Sequence, residues 1–116
     1  GAKMSGLVGT TQSRSGIVGI SQDTAGAWCN IGNSGTINDS FNVSSVTDIS
    51  TGLWQPNFSS DFANVNYAVV ATADAGGSAR FVTFYDQLVG SVIIKVQAGT
   101  ESTVDPDSLS VITFGD

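Results

Sequence analysis

The chain has no histidine, one cysteine and two prolines, and charged side chains make up only 12% of its 116 residues. Each shortage closes a class of function. Without histidine, acid–base chemistry near neutral pH falls to a carboxyl pair or a lysine, and the usual base-activated Ser or Cys nucleophile cannot be assembled. Cys29 cannot form an intrachain disulfide; beside Trp28 in an apolar strand-like run it reads as a buried small hydrophobe more readily than as a reactive thiol. With so few His and Cys ligands, zinc is set aside. The four cations, Lys3, Arg14, Arg80 and Lys95, are scattered among ten acidic side chains, for a net charge of −6. That argues against nucleic acid, which needs several Lys or Arg meeting phosphates. No apolar run approaches the ~20 residues that span a bilayer, and no basic-then-apolar signal pattern opens the sequence, so membrane insertion is not expected.

What is present is hydroxyl, glycine and apolar side chain. Ser and Thr together number 27 and Gly 14, while the charged share is about half the ~25% of an average soluble protein. Hydroxyls and amides must therefore cover the surface, and the positive mean hydropathy leaves apolar area that a monomer hides poorly, so self-association is expected. A chain of this length makes one domain and buries on the order of 65% of its unfolded surface.

Alternating apolar residues, broken by Gly, Asn, Asp and Ser clusters, predict an all-β antiparallel sandwich of about seven strands over 26–116. The strands fall near 26–31, 41–48, 51–58, 65–73, 79–88, 91–98 and 109–115. In 91–98, Val92, Ile94, Val96 and Ala98 share one side and Ile93, Lys95 and Gln97 the other, which is a strand with one wet face. Strand 79–88 sets Phe81, Thr83 and Tyr85 against Val82, Phe84 and Leu88; one face is expected to pack the core and the other to meet a neighbour. Gly52 and the pair Gly76 and Gly77 supply positive-φ turn residues, and Pro106 ends any strand before it.

Residues 1–25 read as an extended segment. Ser-Gly-Leu-Val-Gly at 5–9 is echoed by Ser-Gly-Ile-Val-Gly at 15–19, a spacing of ten. Such strands cannot bury their faces alone. Paired between subunits, Leu7, Val8, Ile17, Val18 and Ile20 could line a shared apolar axis; a flexible Gly/Ser leader is the other reading, and both stay open.

The most telling stretch runs from Asp39 to Val70: Asp-Ser-Phe-Asn-Val-Ser-Ser-Val-Thr-Asp, then Thr-Gly-Leu-Trp-Gln-Pro-Asn-Phe, then Asn-Val-Asn-Tyr-Ala-Val-Val. Phe41 and Val43 are expected on one side of its first strand, and Trp54, Pro56 and Phe58 on one side of its second. This ordered set of motifs resembles a recurrent domain of tailed-bacteriophage tail-fibre and related virion proteins. The resemblance extends through Val92–Val96 to Leu109–Phe114, about residues 27–116. It implies a homotrimeric structural and receptor-engaging domain of a virion appendage, exposed on the extracellular particle and made in the bacterial cytoplasm. Its implied partners are its own copies, other virion proteins, and bacterial surface glycan or protein.

No enzymatic activity, cofactor or metal is expected. Asp105 and Asp107 are the closest carboxyl pair for glycoside cleavage, but their Pro-centred spacing is that of a loop. With Glu101 they could offer oxygens to calcium, yet the Asp-x-Asp-x-Asp-Gly spacing is missing, so solvated turn carboxylates are the better reading. Binding remains, and variable loops on a rigid frame are where it is usually found. The candidates are Asp61, Phe62 and Asn64 in the 59–64 loop and Asp74, Ser78 and Arg80 in the 74–80 loop, where an exposed aromatic could stack on a sugar ring and polar groups take its hydroxyls. Ordinary turn composition is the competing reading at each. Two alternatives stand beside receptor binding: a purely architectural decoration or trimerisation protein, and a monomeric carbohydrate-binding module.

Overall fold

A computed structural model describes residues 24–116, and among them no residue is helical. Eight strands follow one another: β1 (Ala27–Gly32), β2 (Ile37–Phe41), β3 (Val43–Ser50), β4 (Leu53–Phe58), β5 (Ala68–Asp74), β6 (Phe81–Leu88), β7 (Ser91–Gln97) and β8 (Ser108–Phe114). They form two four-stranded antiparallel sheets, ordered β2-β1-β8-β5 and β3-β4-β7-β6. The fold is a β-sandwich, as the alternation predicts.

Period-two alternation fills the space between the sheets. Ala27, Cys29, Ile31, Leu109 and Val111 point inward from one sheet; Val43, Trp54, Phe58, Val92, Ile94 and Val96 point inward from the other. Trp54, Pro56 and Phe58 share the buried side of β4, as expected. At about 25 cal/mol per Å² of apolar area, a fully buried side chain such as Ile31 or Leu109 contributes roughly 2 kcal/mol.

Two expectations are corrected. Phe41 and Val43 do not share a face: Asn42 sits at φ 57°, the left-handed region, and ends β2 before β3 begins. Phe41 is left exposed while Val43 is buried. The Asn42 side chain holds this break, with Nδ2 donating to Gly26 O at 3.0 Å and to Ser60 O at 3.2 Å, and Oδ1 accepting from Ser60 N at 2.8 Å. The segment 37–41 becomes an eighth strand, paired to β1. The second correction concerns β6, whose core-side residue Phe84 is 45% exposed. β6 lies at the sheet edge, and of its apolar residues only Val82 packs against the core.

The turns follow the glycines. Gly52 takes φ 72° between β3 and β4, and Gly76 and Gly77 take φ 64° and 89° between β5 and β6. Asp105 is more than a solvated turn carboxylate, because its Oδ1 accepts the Gly52 N–H at 2.7 Å.

Candidate functional site

Because Cys29, Ile31, Leu109 and Val111 turn inward, their neighbours Trp28, Asn30, Ser110 and Ile112 must turn outward. Strand register then sorts the outer face of sheet β2-β1-β8-β5 into rows. Phe41 lies opposite Trp28, Trp28 opposite Ile112, and Ile112 opposite Val70, which makes an apolar row across all four strands. The next row is polar: Asp39, Asn30, Ser110 and Thr72. Between the two rows runs an open groove of about 320 Å³, walled by Trp28, Val70 and Ile112 on the apolar side and by Asn30, Ser110 and Thr72 on the polar side.

The polar row is held in place. Asn38 Nδ2 donates to Asn30 Oδ1 at 2.9 Å, and Asn30 Nδ2 donates to Ser110 Oγ at 3.1 Å. This relay fixes which way the Asn30 amide points, and each amide keeps a second N–H. The Ser110 and Thr72 hydroxyls are exposed on the strand faces. Cys29, the one nucleophilic group near the floor, is buried, and burial pushes its thiol from 9.0 up to about 11, so at neutral pH it stays protonated and unreactive. The groove therefore offers an indole face, aliphatic walls, two hydroxyls and an oriented amide. Such a set is suited to stacking and hydrogen bonding.

The residues singled out from sequence do not come together. The loop bearing Asp61, Phe62 and Asn64 precedes β5; Asp74 is not in a loop but is the last residue of β5, paired with Ser108, and the loop bearing Ser78 and Arg80 follows it. A seven-residue strand separates them by about 20 Å. Phe62 is buried, stacked on Tyr67 at 4.2 Å between ring centroids and edge-on to Phe58 at 5.1 Å, so its ring is core and offers no platform. Asp61 is exposed, and Asn64 Oδ1 accepts the Asn66 N–H at 2.9 Å. Asp74 Oδ1 accepts from Gly76 N at 3.1 Å, Ser78 N donates to Ala75 O at 3.2 Å, and Arg80 Nη1 donates to Ala79 O at 2.8 Å. These are turn-forming contacts within or bordering the loops. Leu7, Val8, Ile17, Val18 and Ile20 lie outside the described residues.

Sequence reasoning missed Trp28, Asn30, Thr72 and Ser110 as a group. The alternation Ala27, Cys29, Ile31 against Trp28, Asn30 was a usable signal for the face. The register that joins β1 to β8, about eighty residues later, was not.

No protein-family model, curated protein or solved structure matches this chain.

Proposed function

We propose that this chain is a non-catalytic recognition domain that holds a glycan in the groove on the outer face of sheet β2-β1-β8-β5. We further propose, on the resemblance of residues 27–116, that it serves as the host-engaging part of a bacteriophage tail fibre or similar virion appendage. The observation that carries the first part is the pairing of rows: an indole and aliphatic strip directly beside a strip of amide and hydroxyl groups. A sugar ring has an apolar C–H face and a rim of hydroxyls, so it can lie on Trp28 while its rim meets Asn30, Ser110 and Thr72. A single such site is weak, and several copies displayed together raise avidity without new contacts. The resemblance implies three copies.

Binding of the full chain and of Trp28→Ala to a panel of bacterial surface polysaccharides tests this. Specific binding by the parent, lost at least tenfold in Trp28→Ala, is the expected result. Equal binding by both proteins contradicts the groove. Failure of every polysaccharide to bind favours the architectural reading, which the exposed aromatic residues of β6 independently support.

A further inference from the structure

Strand β6 is the outermost strand of its sheet, and among the described residues no strand pairs with its far side. It is also the most apolar exposed element: Phe81 and Leu88 are each 56% exposed, with Phe84 and Tyr85 close behind. Long apolar edges are templates for pairing with another chain. We propose that β6 pairs antiparallel with β6 of a second copy about a twofold axis at Thr83, joining two sandwiches into one continuous eight-stranded sheet.

The free hydrogen-bonding groups select that axis. Val96 directs its N–H to Gly52 O and accepts the Val104 N–H, both on the β4 side. Alternation turns the peptide groups of Lys95 and Gln97 toward β6, where they meet their partners Thr83 and Phe81. The N–H and C=O groups of Val82 and Phe84 therefore point away from β7, to the open side. With the axis at Thr83, Val82 of one copy lies opposite Phe84 of the other. That is the pair whose outward groups can exchange hydrogen bonds, and symmetry repeats it.

Side chains agree with this register. Directly opposed residues share a face, so Phe81 meets Tyr85 of the second copy on the outer face, while Val82 and Phe84 extend the apolar inner face. Arg80 and Asp86 flank the paired stretch, Arg80 just before it and Asp86 just past it, so each end brings together one charge of each sign. For a chain of net charge −6, association needs such a relief of repulsion. Past Tyr85 the register shifts and Asp86 takes φ 49°, a bulge that ends the pairing and limits it to this short stretch. A twofold contact closes on itself, so it makes a pair and no filament.

This contact is independent of the glycan groove and distinct from the shared apolar axis that Leu7, Val8, Ile17, Val18 and Ile20 could line in the trimer the resemblance implies. Sedimentation equilibrium of the full chain at tens of micromolar, with near-UV circular dichroism as the folding check, tests it. The expected mass is two chains, or six if a threefold contact also forms. Phe84→Pro removes an outward N–H without touching the β6–β7 ladder, and should halve that mass. Arg80→Glu should weaken pairing at least about tenfold, and adding Asp86→Lys to the same chain should restore it. The proposal is overturned by a single-chain mass for the parent, by a mass that Phe84→Pro leaves unchanged, or by a double variant no tighter than Arg80→Glu alone.

Discussion

Phe62 shows how one residue can carry the look of a binding group and the work of a core group. It stands in a loop of Ser, Asp and Asn, where aromatic side chains often meet ligands, yet it closes an aromatic cluster with Phe58 and Tyr67 at one end of the sandwich. Truncating it leaves a cavity, so Phe62→Ala should lose about 3–5 kcal/mol in denaturant unfolding while leaving glycan affinity of the folded protein unchanged. Tyr67 beside it donates its hydroxyl to Ser91 O at 3.0 Å and to Leu88 O, and burial pushes its phenol from 10.0 up to about 12. Cys29 shifts the same way, to about 11. Both groups are held neutral by the fold and ionise earlier when unfolded. The stability they contribute is complete below pH 9 and is lost as pH rises through 11 to 12. Urea midpoints measured from pH 8 to 12 should fall monotonically across that window, and Cys29→Ala should flatten the decline between pH 9 and 11.

At the level of strands, β4 and β8 were legible because each alternates cleanly over six or seven residues and lies centrally, with one side buried. β7 was legible as a strand, but its expected wet face is not wet: Ile93 is buried, and Lys95 and Gln97 are half-buried. β2 was not legible. Its residues Ile37, Asn38, Asp39 and Ser40 carry little strand signal, and it exists because β1 supplies a partner. The break at Asn42 was hidden for the same reason: the acceptors and donors that fix its left-handed turn, Gly26 and Ser60, are 16 and 18 residues away. Gly52 was easier, since a glycine between two strands announces a turn. Its surroundings make it stricter than the turn alone requires, because a Cβ there would lie 2.7 Å from Val96 O and 2.8 Å from Val104 N. Gly52→Ala should therefore cost at least about 2 kcal/mol by thermal or chemical unfolding. Asp74 apart, the candidate loops were correct as loops and incomplete as a site, because composition cannot say that β5 holds them apart.

The whole molecule presents two unequal surfaces. One sheet shows a graded face, apolar along Phe41, Trp28, Ile112 and Val70 and polar along Asn30, Ser110 and Thr72; the other ends in the aromatic strand β6, whose far edge no strand pairs with among the described residues. With charges so sparse, recognition by such a protein must rest on shape, stacking and hydroxyl–amide hydrogen bonds, which salt screens little. The two proposals place recognition and assembly on opposite sheets, so a pair formed through β6 would leave both grooves open. The chain's two tryptophans provide an internal comparison: Trp28 lines the groove, and Trp54 is buried in the core. The most direct measurement follows the two indole N–H resonances in nitrogen-15 spectra during titration with bacterial surface polysaccharide fractions. Glycan recognition in the groove predicts that one fraction moves the Trp28 resonance saturably and leaves that of Trp54 in place; a binding fraction that leaves Trp28 unmoved contradicts it.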